Sequence, residues 1–398
     1  MRILLLSVYL LFSHYILNAQ QVGVRELKPF VNIEKGMYAE AIDSLTQLIS
    51  TENNTYYLDA RINAFIKVND LDKALIDCEL MEKKQKGSSA ILQTKIYLLK
   101  KDIANAEKTL LNNLKSTHKI SLYELLTDAE FRKIQDSEFM DSILKTNIYS
   151  STEKQIYKVE KYINNGNYNE AFFLANEIIN RNPNIADAYY FLSKIYFQNT
   201  DLVAAKSTID KAIELNSSTI DFYQHRIAVN QGLKNYTELL SDVNRVLKIN
   251  PYKVDFYLLR SEVLLHNSKF DEAIKQADFY LELYPQNSNA LYIKASSYFQ
   301  KGENLDALKY INESLENTKS VRQYELRGDI YMNTATFHFA EMDYSMALDL
   351  DARNGEMWTK KGFARYQSGN KTGACADWQK GKRYGSIAAI EYLEKFCK

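Results

Sequence analysis

Four prolines and thirteen glycines in 398 residues leave little material for tight turns or interrupted strands, and a chain so poor in both reads as mostly helix. Charge of either sign is not in excess: fifty basic and fifty acidic residues cancel. No global field therefore draws the chain to nucleic acid or to an anionic membrane. Beyond residue 20 no apolar stretch is long enough to span a bilayer, which takes about 20 residues. Past His14 there are four histidines, His118, His225, His266 and His338. They are scattered, without an i, i+4 pair or a neighbouring cysteine, so no metal-ligand set emerges. Hydrophobic residues, by contrast, make up 46%, enough for a core, and the 29 tyrosines must be explained by packing or by binding.

The first residues, MRILLLSVYLLFSHYILNAQ, combine a positive start with an apolar run from Ile3 to Leu17 and a small residue, Ala19. That pattern predicts a secretory signal over 1–19 cleaved near Ala19, with an uncleaved anchor as the alternative. No cysteine follows at that point, which excludes lipid attachment at a mature amino terminus.

What the chain has in quantity is self-similarity. Ala171, Ala205, Ala273, Ala307, Ala340 and Ala374 fall at steps of 34, 68, 34, 33 and 34, with Leu239 in the skipped slot. Pro183, Pro251 and Pro285 form an independent comb, 68 and 34 apart, with Ser217 between them. Tyr189, Tyr223, Tyr257, Leu291, Tyr324 and Trp358 form a third, followed four residues on by a small residue everywhere except Ile227. Inside one unit, Tyr189, Leu192, Ser193 and Tyr196 share one helix face, and Ala205, Ile209 and Ala212 line a second helix. Asn-Pro ends the pair, because the residue before proline avoids helical geometry. A period of 34 built from two helices predicts a stack in which each hairpin shares its apolar faces with its neighbours.

The pattern Leu192-Ser193, Tyr196, Ala205, Ala212, returning as Arg327-Gly328, Tyr331, Ala340, Ala347 and as Trp358, Gly362, Ala374, Trp378, resembles the tetratricopeptide repeat family over nearly the whole chain. The resemblance implies an all-α, right-handed α-solenoid superhelix of about ten stacked helix–turn–helix repeats. Ala41, Ala74 and Ala106 place about three looser repeats in 20–117, and seven regular ones follow in 152–386. Residues 118–151 lose the comb but have the length of one unit, so they are either an irregular helical pair that keeps the stack continuous or a hinge. Residues 387–398 put Ile387, Ile390, Leu393 and Cys397 on one face, a C-terminal capping helix that covers the last repeat.

In that family the first helix of each unit lines the concave surface. The resemblance thus points to a partner-binding groove lined by Tyr190, Lys194, Phe197, Leu258, Glu262, Leu265, Tyr292, Phe299, Met332, Phe363 and Tyr366. Each of these could instead pack between neighbouring repeats. Lys194 is the one inner cation expected, so the Lys/Asn/Arg clamp with which some members hold a peptide's terminal carboxylate is not reproduced. Protein or peptide segments with apolar anchors fit such a surface; glycans or small ligands stacked on the aromatic rings are the alternative.

No catalytic signature stands. SGNKTGA (368–374) lacks the order of a phosphate-binding loop and falls at a turn, and no nucleophile–base arrangement can be read. No catalytic residue, cofactor or metal is expected. Cys78, four residues after Ala74, is a packing residue. Cys375 and Cys397 fall on adjacent helices, and in an exported protein they could form a disulfide. The tail from Gly373 to Cys397 resembles the closing segment of exported repeat proteins of Gram-negative bacteria. The expected location is therefore the periplasm or the outer membrane, with membrane contact only through an uncleaved signal.

Overall fold

The turn between the two helices of a repeat shows why the chain folds as a row of hairpins. Thr200 takes a left-handed conformation (φ 61°) that reverses the chain, and Asp201 then caps the next helix, its carboxylate accepting the Ala204 N–H at 3.0 Å. Asp70, Asp102, Asn235 and Asn370 repeat the cap. Gly166 and Gly302 take the left-handed position without the steric cost that Thr200 and Ala335 bear.

The computed structural model describes residues 22–397 except residues 53 and 117; the expected signal, 1–19, lies outside the described residues. Among the described residues every regular element is helical, and there are 23 α-helices. Three pairs come first: α1 (Val24–Glu34) with α2 (Tyr38–Thr51), α3 (Thr55–Lys67) with α4 (Leu71–Lys84), and α5 (Ala90–Leu99) with α6 (Ile103–Leu114). After α7 (Leu122–Thr127) and α8 (Glu138–Lys145) the pairs resume with α9 (Ser151–Asn164) and α10 (Tyr168–Arg181), α11 (Ala186–Gln198) and α12 (Leu202–Leu215), α13 (Ile220–Gly232) and α14 (Tyr236–Ile249). Four more pairs and a capping helix follow: α15 (Asp255–His266) and α16 (Phe270–Leu283), α17 (Ser288–Gln300) and α18 (Asn304–Asn317), α19 (Val321–Asn333) and α20 (Phe337–Leu350), α21 (Gly355–Gln367) and α22 (Lys371–Arg383), then α23 (Ile387–Phe396). The chain divides into two compact units, an N-terminal one ending at Val254 and a C-terminal one starting at Asp255. Each is an α-solenoid of stacked hairpins.

Residues 118–151 are not a pair of full helices. A 3-10 turn, Phe131–Ile134, separates the short α7 and α8. The segment nevertheless carries the core onward: Leu98 and Leu110 from the preceding pair share one cluster with Leu125, Phe131, Ile143 and Tyr149. The Tyr149 hydroxyl donates to the Ile120 carbonyl at 2.9 Å and closes the segment on itself.

The small-residue combs mark where two helices of a pair cross closely. Ala171, Ala205, Leu239, Ala273, Ala307, Ala340 and Ala374 are all fully buried. A β-carbon at Gly328 would stand 2.6 Å from the Tyr344 ring, and one at Gly362 would stand 2.6 Å from Trp378. Thus where the first helix carries only hydrogen, the second supplies a large ring. At the places equivalent to Tyr344 and Trp378, the fully buried Ile209, Val243 and Ile311 serve with larger first-helix residues.

A second periodic feature is polar. Arg226 holds the Asp242 carboxylate of its own hairpin through Nε (2.9 Å) and Nη2 (2.6 Å), while its Nη1 reaches Asp210 of the preceding repeat at 2.7 Å. Arg61 does the same with Asp77 and with Thr46 (Nη1 to Oγ1, 2.8 Å). Arg327 does so with Asp343 and Asn312. One guanidinium therefore joins three helices. Lys294 keeps the backward link, to Asp278 at 2.5 Å, and replaces the forward one with the Tyr310 ring.

The N-terminal unit also closes on itself. The Tyr252 ring stacks on Phe30 (centroids 4.5 Å) and packs edge-on to Tyr57 (5.4 Å). The Asn54 amide donates to the Tyr252 hydroxyl at 2.5 Å, and the Tyr56 hydroxyl donates to the Ile249 carbonyl at 2.9 Å. The first two repeats of this unit are thereby fastened to its last turn.

Arg260 is the member of the clamp series whose partner is neutral. Gln276 Oε1 accepts from its Nε at 2.7 Å, and the buried Gln276 Nε2 has no partner. Burial holds the Arg260 guanidinium below its ordinary pKa. Gln276→Asp, which restores the residue found in the other clamps, is expected to raise stability by about 1–2 kcal/mol in urea unfolding. A lower midpoint would show that the amide already meets the needs of Arg260.

Candidate functional site

First helices carry the side chains that line the concavities of the C-terminal unit. One, of about 420 Å³, is bounded by Leu265, Tyr292, Phe299, Arg322, Glu325 and Asp329. The next, of about 660 Å³, takes Asp329 as a shared wall and adds Met332, Lys360, Phe363 and Tyr392. These places on α17, α19 and α21 recur every 33–34 residues, so the helical period aims them to one side of the stack.

Between the two concavities lies a charged bridge. Lys360 Nζ reaches Glu325 Oε1 at 2.6 Å and Asp329 Oδ2 at 2.8 Å, and the Tyr344 hydroxyl donates to Asp329 Oδ1 at 2.7 Å. Burial pulls the Lys360 pKa down, but Asp329 and Glu325 outweigh it and the net shift is upward, so the ammonium stays charged. Burial, followed by Asp329, pushes the Tyr344 phenol up, and it stays neutral. Over the neighbouring concavity the Arg322 guanidinium sits 4.5 Å from the Tyr292 ring centre. The surface thus offers aromatic faces beside both signs of charge, with no group of three His, Cys, Asp or Glu side chains placed to hold a metal among the described residues.

The far wall of the larger concavity is α23. Its Tyr392 stacks on Phe363 (5.5 Å, 22°), Thr359 Oγ1 donates to Ser386 Oγ at 2.7 Å, and Cys397 is bonded to Cys375, with 5.8 Å between the α-carbons. The face of α23 that packs differs from the one expected. Ile387 and Ile390 are exposed, and Ala389, Tyr392 and Phe396 turn inward with Leu393 and Cys397. The rings decide this, because Tyr392 and Phe396 pack on Trp378, whose area outweighs that of two isoleucines.

Of the expected groove residues, Leu265, Tyr292, Phe299, Met332 and Phe363 line these concavities. Leu258 and Glu262, half-buried on α15, line neither. Tyr366, half-buried, lines neither concavity, and its ring lies 4.5 Å from Phe396 and 5.8 Å from Trp378, against the cap. Lys194 was expected as the one inner cation; in the C-terminal unit Lys360 and Arg322 line the concavities. Both sit on first helices, where a charge reads as solvated until a carboxylate or ring is seen beside it.

In the N-terminal unit the expected residues pack on one another or on side chains of the next repeat. Tyr190 packs 5.0 Å from Phe222 of the next repeat, Phe197 lies 5.6 Å from His225, and Lys194 lies over the Tyr190 ring. A concavity of about 440 Å³ nearby is lined by Lys119, Tyr123, Tyr157, Glu160 and Asp187. Burial raises the Glu160 and Asp187 carboxyls, and burial together with Asp221, Glu160 and Asp187 raises Tyr190 to about 12. Ser193 Oγ donates to the Ala205 carbonyl at 2.6 Å, which leaves His225 Nε2–H to donate to Ser193 at 2.9 Å.

Two family models match the chain. One, described as the second ARM domain of tetratricopeptide repeat protein 21, matches residues 24–231, just over half of the chain. The other, described as a tetratricopeptide repeat, matches 254–321. The chain belongs to the tetratricopeptide repeat family. Among solved structures it is similar to a tetratricopeptide repeat protein from Parabacteroides merdae, at 18% identity and a TM-score of 0.51, over 63% of this chain and 100% of that one. Yeast Tom70 matches at 14% identity and a TM-score of 0.39, over 93% of this chain and 95% of that one. No curated protein matches. The fold is the scaffold kind typical of protein–protein interaction.

Two predictions follow from this geometry. Burial, with Lys194 adding to it against the bond to Ser193, lowers His225 from 6.5 to about 4. A depressed histidine is neutral in the fold, so the stability it contributes is complete above pH 6.5 and falls as the pH drops toward 4. The loss amounts to up to about 3 kcal/mol. Urea midpoints between pH 7.5 and 4.5 should show a smaller loss for His225→Gln than for the wild type; equal slopes would place the titration elsewhere. Cys375 and Cys397 are 22 residues apart. Replacing both with serine should cost the C-terminal unit about 3 kcal/mol, matched by adding reductant to the wild type. An unchanged midpoint would leave the cap held by ring stacking alone.

Proposed function

We propose that the chain is an exported, non-enzymatic scaffold that holds a protein or peptide segment along the first helices of its C-terminal unit. The observation that carries this reading is the pair of concavities sharing Asp329, in which Tyr292, Phe299 and Phe363 offer ring faces and Arg322, Glu325 and Lys360 offer both charges. An extended segment with an apolar side chain every few residues would seat its anchors on the rings and its backbone or polar groups on the charged bridge. Because the walls are folded hairpins, little ordering is required on binding, which favours affinity. The apolar run from Ile3 to Leu17 and the bonded Cys375–Cys397 pair support an oxidising compartment outside the cytoplasm, the periplasm or outer membrane of a Gram-negative cell.

The test is crosslinking in intact cells with the wild type and with Tyr292→Ala plus Phe299→Ala. Loss of both rings should weaken capture of the crosslinked partner at least tenfold, as expected for two anchors worth more than about 1 kcal/mol each. The helical circular-dichroism signal should be unchanged. Undiminished capture by a well-folded double variant would remove this face as the binding site.

A further inference from the structure

The outer face of α20 is unlike that of any other second helix in the regular array. Phe339, Met342, Met346 and Leu350 lie at i, i+3, i+7 and i+11, one continuous stripe, and are 52%, 52%, 46% and 54% exposed. The repeat supplies its own control. At the equivalent places α10, α12, α14, α16, α18 and α22 each carry at least one charged residue, among them Lys211, Arg245, Lys275 and Lys380. A row of four large apolar side chains in water is costly and marks a contact surface.

The flanks say what covers it. In the stack α20 lies between the pair α17–α18 and the pair α21–α22. Near its C-terminal end α18 carries Glu313 and Glu316, and α22 carries Lys380, Lys382 and Arg383. The repeat period sets the levels: Glu316, Asp349 and Arg383 are equivalent positions, 33 and 34 residues apart, so Glu316 and Arg383 stand at the same height on opposite sides of the stripe. Both are exposed.

We propose that the α20 stripe is the contact of a dimer of this chain, in which two copies of α20 run parallel about a twofold axis. Rotation about an axis along α20 exchanges left and right, so α18 of each copy faces α22 of the other. Glu316 then meets the partner's Arg383, and the symmetry makes the pair twice. The antiparallel alternative would set α18 on α18 and α22 on α22 with their ends reversed, so Glu316 and Arg383 would not meet. Charge complementarity therefore selects both a second copy and its orientation.

Sedimentation equilibrium of the purified chain tests this. A dimer dissociating in the micromolar range is expected, as suits a contact centred on one helix face. Met346→Lys should weaken it about 100-fold. Glu316→Arg and Arg383→Glu should each weaken it about tenfold by facing like charges twice, and the double reversal should restore it to within about threefold of the wild type. All three sites are solvent-facing, and an unchanged circular-dichroism signal checks that the variants fold. A chain still monomeric at about 200 μM overturns the proposal and leaves the stripe to a different protein. A dimer indifferent to Met346→Lys places the contact elsewhere, and charge reversals that fail to compensate overturn the parallel arrangement.

Discussion

One guanidinium joined to three helices is the contact on which each regular stack depends. A hairpin can cross tightly only if small residues meet, and small residues bury little area. The arginine compensates: Arg61, Arg226 and Arg327 each tie the two helices of their own repeat through a nearly buried aspartate and hold the repeat before. Deleting one member of such a pair leaves a buried charge uncompensated, typically at about 3–5 kcal/mol. The clamp also sets register, because a two-pronged carboxylate contact tolerates little sliding. Where it varies, as at Lys294 with Asp278 and the Tyr310 ring, the backward link is kept.

That rigidity is what the inner side exploits. Lys360, Glu325 and Asp329 come from successive first helices, so their ion pairs hold only while the repeats keep their spacing. The cap contributes in the same way. The Cys375–Cys397 bond and the Tyr392–Phe363 stack fix α23, and α23 is a wall of the larger concavity. Terminal packing and the candidate binding surface are therefore one construction, in which closing the apolar end also shapes the pocket.

Much of the fold was legible in the chain because the spacing of small residues follows directly from how helices cross. Ala205, Ala340 and Gly362 cannot be enlarged without meeting a neighbour, so the period survives in the residues. The clamps were equally periodic, with Arg226 and Asp242, or Arg327 and Asp343, 16 residues apart, but a charge on a helix reads as solvated until its partner is known. The binding side was less legible. Periodicity tells which way a side chain points, not whether the next repeat covers it. Phe222 packs on Tyr190, and Phe396 of the cap packs on Tyr366. On α23 the aliphatic pattern pointed one way, while the aromatic residues, with more area to bury, turned the helix another.

The closure at Tyr252 has a consequence for how the N-terminal unit can evolve. An open repeat array gains or loses a unit with little harm, since each hairpin touches only its neighbours. Fastening Phe30 and Asn54 to Tyr252 joins residues some 200 positions apart, and adding or removing one hairpin between them would rotate the two halves of the fastening past each other. The number of hairpins in this half of the molecule is therefore locked by geometry, and variation in length is directed to places outside the closed loop.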